Sequence, residues 1–124
     1  MNSEFTDDTI LGGSIIIKQP KSGFRISSDS VFAAAAVPVK NEENVLDVGA
    51  GTGAISLVLA KRYTKSKIYA VENFPLHIQL LTKNILLNKL SDQITAIDSD
   101  ISNMNLILLN KKFDHIVTNP PFYP

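Results

Sequence analysis

Residues 45–54 read VLDVGAGTGA, a short apolar run that leads directly into a glycine-rich segment. From Gly49 to Ala54 the spacing satisfies G-x-G-x-x-G/A, which is typical of the turn between a strand and a nucleotide-binding helix. Glycine lets the backbone approach a ligand closely, and the first turn of the following helix offers free N–H groups. The stretch therefore predicts a buried strand, a ligand-binding turn and a helix, which together begin an α/β fold.

Strand and helix patterns alternate after this motif. A helix is predicted from Ile55 to about Arg62, and Pro75 suits the first turn of a second helix that runs to about Asn88. Further strands are predicted at residues 68–71, 94–97 and 113–118. Strand–helix repetition at this spacing predicts a doubly wound, mostly parallel α/β sheet.

The residues before the motif have a different pattern. Residues 12–23 combine paired glycines, a short apolar run and a proline–glycine turn, which predicts a small β-hairpin. Residues 28–38 combine a Ser/Asp cap, a run of alanines and a closing proline, which predicts a short helix over 31–37. We therefore divide the chain into an N-terminal hairpin extension, residues 1–30, and the N-terminal part of an α/β domain, residues 31–124.

Polar residues gather where the predicted strands end, namely Asp47, Glu72, Asp98, Asp100 and Asn119. In open α/β sheets ligands bind at the carboxyl ends of the strands. Glu72 follows the glycines by roughly 20 residues, the distance at which a carboxylate binds ribose hydroxyls. The charge of Asp47 favours a cationic group such as a methionine ammonium over the pyrophosphate of NAD. The convergence predicts a site for an adenosine-containing cofactor.

Three stretches resemble one class of enzyme. The segment 45–54 resembles the first motif of Rossmann-like S-adenosylmethionine-dependent methyltransferases. Residues 119–122, NPPF, resemble the fourth motif of those that methylate exocyclic amino or amide nitrogens. Residues 19–25, QPKSGFR, followed by Asp29 and Ser30, resemble the bacterial tRNA (valine) adenine-N6 methyltransferases. The resemblance spans essentially the whole chain, and it implies S-adenosylmethionine as cofactor and RNA, in particular tRNA, as substrate.

The resemblance also implies a role for each motif residue. The methionine end of the cofactor would lie along Asp47, Gly49, Gly51 and Gly53, its ribose hydroxyls on Glu72 and its adenine amino group at Asp100. The target base would be held by Asn119, Pro120 and Phe122.

The tetrad at 119–122 suits the chemistry of an amino nitrogen. An adenine amino group is a poor nucleophile because its lone pair is delocalised into the ring. The side-chain oxygen of Asn119 and the carbonyl of Pro120 can accept hydrogen bonds from the two N–H groups of this amino nitrogen. They also stabilise the positive charge that develops on it during methyl transfer. Phe122 offers a face on which a splayed-out base can stack. An Asn-Pro-Pro sequence often forms only a rigid turn. The position of this one directly after an apolar strand favours the base-binding interpretation.

Composition and charge restrict the other classes of function. Twelve basic residues balance twelve acidic ones, so RNA binding would rest on local clusters, for which Lys18, Lys21 and Arg25 are the candidates. The lack of cysteine excludes disulfide scaffolds, zinc ribbons and thiol catalysis, and the two histidines lack metal-ligand spacing, so no metal is expected. An acidic N-terminus and short apolar runs predict neither a signal peptide nor a membrane helix, which makes a cytoplasmic location the expectation.

Two other functions stay open. The first is a protein glutamine methyltransferase of the release-factor type, which shares Asn-Pro-Pro but normally has an N-terminal helical domain. The second is a truncated, non-catalytic remnant of a methyltransferase, which could bind cofactor without turnover.

Methyltransferases of the resembled class have a seven-stranded sheet, whereas the fourth predicted strand is followed here only by residues 119–124. We therefore expect a truncated sheet whose fourth strand pairs with a second copy, as a homodimer, or with a missing C-terminal fragment.

Overall fold

The computed structural model describes residues 5–10, 13–20, 36–100 and 112–118. Within these ranges the strands form a two-stranded antiparallel sheet and a four-stranded parallel sheet. The smaller sheet contains β1 (Phe5–Ile10) and β2 (Ile15–Pro20). The larger sheet contains β3 (Asn44–Val48), β4 (Lys67–Glu72), β5 (Ile94–Asp98) and β6 (His115–Thr118), in the order β5-β4-β3-β6.

Two helices connect the parallel strands. Helix α1 (Ala54–Arg62) joins β3 to β4, and α2 (Pro75–Leu87) joins β4 to β5. The predicted hairpin and the predicted parallel α/β sheet are confirmed. The helix predicted over 31–37 lies outside the described residues except for its last two, which are in a turn.

The chain changes direction across the sheet at β3. It moves from β3 to β4 and β5 on one side, and β6 then pairs with the other side of β3. In open α/β sheets such a change of direction leaves a crevice at the carboxyl ends of the two neighbouring strands. Here that crevice lies beside Val48 and Thr118, which are paired in register.

The main core lies between the parallel sheet, the helices and the hairpin. Helix α1 is buried from Ala54 to Ala60 because it contacts the parallel sheet and also β2. Ile15 and Ile17 of β2 belong to the same hydrophobic cluster as Leu57 and Leu81. Complete burial of one such side chain contributes about 1.5–3 kcal/mol. The hairpin therefore helps to hold both helices on the sheet.

The opposite face of the parallel sheet carries a smaller apolar cluster around Leu46 and Val71. Tyr69 and Phe113 meet there edge to face, with ring centroids 5.5 Å apart. Among the described strands β6 is at the border of the sheet, and its Ile116 is 66% exposed.

Candidate functional site

The glycine loop between β3 and α1 contains three backbone positions that favour glycine. The φ angles are 71° at Gly49, 60° at Gly51 and 103° at Gly53, values that residues with a Cβ adopt only at a cost. A Cβ added at Gly49 or Gly51 would meet nothing within 4 Å, whereas one at Gly53 would lie 2.7 Å from Leu81 Cδ1. The first two glycines therefore border open space, and the third allows the loop to pack closely against α2.

Glu72, at the end of β4, holds this loop through its carboxylate. Its Oε1 accepts the N–H of Gly51 at 2.8 Å, and its Oε2 accepts the N–H groups of Asn73 and Phe74 at 3.0 and 2.9 Å. The backbone carbonyl of Val71 adds bonds from Gly49 and Ala50, each 2.9 Å. From the sequence, Glu72 is expected to be either a ribose ligand or a charge at the start of the following helix. A sequence spacing cannot show that the same carboxylate also binds the loop backbone.

Asp47 is fully buried near the end of β3, and its two oxygens differ in their hydrogen bonds to the described residues. Its Oδ2 accepts the hydroxyl of Ser56 at 2.6 Å, while Oδ1 has no hydrogen bond among the described residues. Burial raises the pKa of Asp47 to about 6; the Ser56 hydrogen bond opposes that rise, and the charge of Glu72 adds to it. A buried acceptor without a donor costs about 1–3 kcal/mol. The site therefore suits a ligand that brings a donor, above all a cationic one.

The end of β5 lies next to Glu72. Asp98 pairs in register with Glu72, and the N–H of Ser99 donates to the Glu72 carbonyl at 3.1 Å. Asp100 follows on the surface at the same end of the sheet. Phe74, which the sequence motifs do not predict as a site residue, is 54% exposed at this end and packs on His77 with ring centroids 4.8 Å apart. Its position two residues after Glu72 is the sequence feature that indicates its place at this end of the sheet.

The predicted base-binding residues Asn119, Pro120 and Phe122 lie outside the described residues. Strand β6 ends at Thr118, the register partner of Val48, and Val48 immediately precedes Gly49. The tetrad thus directly follows a strand whose carboxyl end borders the glycine loop.

The other singled-out residues lie elsewhere. Lys18, an RNA candidate, forms an ion pair with Asp7 at 3.0 Å, and Lys21 and Arg25 lie outside the described residues. His115 contacts Glu43 at 3.0 Å, near the amino end of the sheet. In the described part of the chain, no three His, Cys, Asp or Glu side chains are grouped so that they could bind a metal. No helix in those same ranges has the length and hydropathy needed to cross a bilayer.

Comparison with known proteins identifies relatives of this site. The tRNA1(Val) (adenine(37)-N6)-methyltransferase of Flavobacteriaceae bacterium strain 3519-10 is 34% identical over 107 residues, which cover 86% of this chain and 45% of that protein. The chain thus spans less than half the length of this relative.

Solved structures give the same result for the fold. Methanocaldococcus jannaschii TYW2 in complex with AdoMet is 26% identical with a TM-score of 0.69, covering 83% of this chain and 47% of that one. The structure of aTrm5 with tRNALeu is 27% identical with a TM-score of 0.75, covering 98% of this chain and 34% of that one. Both likenesses confirm the predicted Rossmann-like methyltransferase fold.

The family model covers most of the chain. The model described as the TRM5/TYW2 methyltransferase domain matches residues 29–123, which include the glycine loop, Glu72 and the tetrad at 119–122. The predicted membership of a methyltransferase class is thereby confirmed: this chain belongs to the TRM5/TYW2 methyltransferase domain family.

Proposed function

We propose that this chain is the cofactor-binding half of an S-adenosylmethionine-dependent N-methyltransferase that acts on adenine N6 in tRNA. The observation that carries the proposal is the buried Oδ1 of Asp47, which has no hydrogen bond within the described part of the chain and lies beside a glycine loop that borders open space. The names of the curated relatives support the substrate class. A tRNA substrate would also place the protein in the cytoplasm.

The described residues fit S-adenosylmethionine better than NAD. The methionine ammonium would donate to Oδ1 of Asp47, and Gly49 and Gly51 leave room for the ligand at the loop. A pyrophosphate would instead meet the negative charge of Asp47. When bound, the cofactor supplies an electrophilic methyl group on its sulfonium.

Glu72 retains capacity for the ribose. A carboxylate offers about four acceptor positions, and backbone N–H groups occupy one at Oε1 and two at Oε2. The remaining position at Oε1 would accept one ribose hydroxyl, while Asp100 would accept from the adenine amino group. Glu72 would then link the shape of the loop to the cofactor that the loop holds.

The base-binding role belongs to Asn119, Pro120 and Phe122 in this proposal. The Asn119 oxygen and the Pro120 carbonyl would bond the two amino hydrogens, favour a more tetrahedral nitrogen and stabilise its developing positive charge. Phe122 would stack on the base. The proton leaves after methyl transfer, when the nitrogen is acidic, so no titrating base is needed earlier.

Binding and transfer experiments test the proposal separately. Calorimetry should detect S-adenosylmethionine binding and little binding of NAD, and Glu72→Ala should weaken the former about 10–100-fold because it removes charge-assisted hydrogen bonds. Equal binding of NAD, or unchanged affinity in Glu72→Ala, would refute the cofactor assignment.

The transfer experiment uses a protein that spans the full length of the curated relatives. Radiolabelled methyl should reach a tRNA(Val) transcript. The curated relatives are named for adenine 37, so replacing that adenine by guanine should abolish labelling. A release-factor peptide serves as the second substrate. Labelling of the peptide and not of the tRNA would favour the glutamine methyltransferase instead.

We further propose that the side of β6 opposite β3, which pairs with no described strand, pairs with a strand from a second copy or from a C-terminal fragment. The support is that β6 borders the described sheet with Ile116 66% exposed, since open sheet edges recruit other strands. Light scattering at micromolar concentration should show a dimer or larger species, and adding the C-terminal fragment should restore a single defined complex. A monodisperse monomer that transfers methyl groups would contradict this proposal.

A further inference from the structure

Two asparagines of α2 bind the backbone of β2. Asn84 Oδ1 accepts the N–H of Lys18 at 2.7 Å, and Asn84 Nδ2 donates to the carbonyl of Lys18 at 2.9 Å. Asn88 makes the same pair of bonds to Ile16, at 2.9 and 2.6 Å. Each side-chain amide thus bonds both backbone groups of one strand residue.

The geometry of a helix and that of a strand explain this match. Residues four apart in a helix are about 6 Å apart along its axis, and alternate residues of a strand are about 6.6 Å apart. Ile16 and Lys18 direct their N–H and C=O groups to the side of β2 that faces away from β1, since both groups bond to α2. The two amides therefore take the place of a neighbouring strand and satisfy an otherwise open edge.

Asn84 makes one bond that Asn88 does not. Its second Nδ2 hydrogen is donated to the carbonyl of Thr52 in the glycine loop, at 2.8 Å, and Asn84 is fully buried. The corresponding hydrogen of Asn88 is donated within α2, to the carbonyl of Asn84, at 2.8 Å. Of the two asparagines, only Asn84 therefore joins the hairpin to the loop, and its amide has both donors and its acceptor engaged.

A second contact from the same face of α2 supports the loop. Leu81 lies three residues before Asn84, and its Cδ1 would be 2.7 Å from a Cβ at Gly53. Residues three apart in a helix share a face. The loop thus rests on α2 at Gly53 and is bonded to it at Thr52, while Glu72 binds it at Gly51.

We propose that Asn84 is a positioning residue of the cofactor site, which fixes the glycine loop through Thr52 and makes the docked hairpin part of that site. The ligand in this inference rests on the proposed function, but the mechanical link does not. With Asn84 intact, β2 holds the amide, the amide holds Thr52, and the N–H of Gly51 stays directed at Glu72. Loosening the hairpin at Lys18 then loosens the loop.

The test compares Asn84→Ala with the matched control Asn88→Ala. Both variants lose two bonds to β2 and both should unfold at a lower temperature, but only Asn84→Ala loses the bond to the loop. Amide exchange measured by NMR should accelerate about tenfold or more at Gly51 and Gly53 in Asn84→Ala, relative to the global change, and stay near wild type in Asn88→Ala. S-Adenosylhomocysteine affinity should fall about tenfold in the first variant and less than about twofold in the second.

The outcomes are separable. Equal effects of the two variants on the loop amides would show that Asn84 only holds the hairpin, and would overturn the inference. If the wild-type chain bound no S-adenosylhomocysteine, the proposed function would fail, while the exchange comparison, which needs no ligand, would still decide the inference.

A measurement without mutation covers the case in which Asn84→Ala does not fold. Titration of the wild-type chain with S-adenosylhomocysteine should shift the side-chain NH₂ resonances of Asn84 and the backbone amide of Lys18, while those of Asn88 stay in place. Shifts confined to the glycine loop, with none at Asn84 or Lys18, would likewise overturn the inference.

Discussion

The two ends of the parallel sheet differ in how their polar groups are satisfied. At the amino end, Asp114 Oδ2 accepts the N–H of Asn44 at 2.8 Å, and Asn44 Nδ2 donates to the Lys112 carbonyl at 3.1 Å. Glu43 and His115 are paired there at 3.0 Å. These side chains bind one another and the backbone, and no buried acceptor among the described residues is left without a partner at this end.

At the carboxyl end, one strong acceptor has no donor among the described residues. Asp47 Oδ1 is buried, the carboxyl group has a raised pKa, and two neighbouring glycines border open space. Such an arrangement destabilises the free protein and becomes favourable only when a ligand supplies the missing donor. The comparison predicts that substitutions of these amino-end side chains change stability alone, whereas substitution of Asp47 at the carboxyl end changes stability and ligand binding in opposite directions.

The largest effect is expected at the tetrad that follows β6. Asn119→Ala in the complete protein should lower turnover about 100–1000-fold, the usual loss when one preorganised transition-state group is removed. Cofactor affinity should stay near wild type, because Asn119 is proposed to touch the target amino group and not the methyl donor. Single-turnover kinetics with calorimetry on the same variant separates the two quantities. Near-normal turnover of Asn119→Ala would indicate that residues 119–122 form only a rigid turn.

Asp47→Asn tests the unpaired acceptor directly. Removal of the charge should weaken S-adenosylmethionine binding about 10–100-fold, because a charge-assisted hydrogen bond contributes about 1.5–3 kcal/mol. The free variant should nevertheless be more stable at pH 8, by about 1–2 kcal/mol, since it no longer buries a charge. Calorimetry and urea unfolding measure the two effects.

The amino end supplies the matched control for that substitution. Asp114→Asn makes the same chemical change at a carboxylate that already has a donor, the N–H of Asn44. It should lower stability slightly and leave cofactor affinity unchanged. If Asp47→Asn destabilised the free protein as Asp114→Asn does, the contrast between the two ends would be wrong.

The raised pKa of Asp47 gives the contrast a pH dependence. Between its ordinary value of 3.8 and the folded value of about 6, the folded state holds a proton that the unfolded state has released. The stability that this group contributes is therefore fully present below pH 3.8 and is lost as the pH rises to about 6. Since one pKa unit corresponds to about 1.36 kcal/mol, the loss in the free energy of unfolding is about 3 kcal/mol.

Affinity for a cationic ligand should change in the opposite sense. Below about pH 6 Asp47 is protonated in the free protein, so S-adenosylmethionine affinity should fall up to about tenfold per pH unit between pH 6 and 5. Calorimetry across this range, with Asp47→Asn as the variant that lacks this titration, checks the sign. If the affinity of the wild-type protein depended on pH as little as that of the variant, Asp47 would not be a ligand-binding residue.

Much of this architecture was predictable because it is carried by local patterns. Apolar runs, proline and the glycine spacing predicted the parallel strands, the hairpin and both connecting helices. They also placed Asp47 and Glu72 together at the carboxyl end of the sheet. Asn84 could not be assigned in this way. Helical periodicity puts it on the same face as Leu81, but it cannot show that a strand separated by 66 residues offers the matching N–H and C=O groups. The Glu72 bond to Gly51 is hidden for the same reason, since it depends on tertiary contact.

The smallest expected effect concerns two residues with nearly the same positive φ angle at opposite ends of the sheet. Lys89, after α2, has φ 59°, and Gly51 has φ 60°. Lys89 and Leu90 close α2 through bonds from their N–H groups to the carbonyls of Leu86 and Ile85, at 3.1 and 3.0 Å, the arrangement in which glycine is preferred at the first position. No ligand needs to approach Lys89, so a lysine is tolerated there at a modest cost.

Exchanging the residue types separates conformational cost from ligand access. Lys89→Gly should raise the free energy of unfolding by about 0.5–1 kcal/mol, because relief of the left-handed conformation exceeds the entropy that glycine adds to the unfolded chain. Gly51→Ala should lower it by about 1 kcal/mol through the same conformational preference, since no atom lies within 4 Å of the new Cβ. Thermal unfolding should register each as a shift of about 2–6 °C. Cofactor affinity should be unchanged in Lys89→Gly and reduced in Gly51→Ala, whose methyl group enters the space proposed for the ligand; wild-type affinity in Gly51→Ala would mean that the open space beside the loop is not the cofactor site.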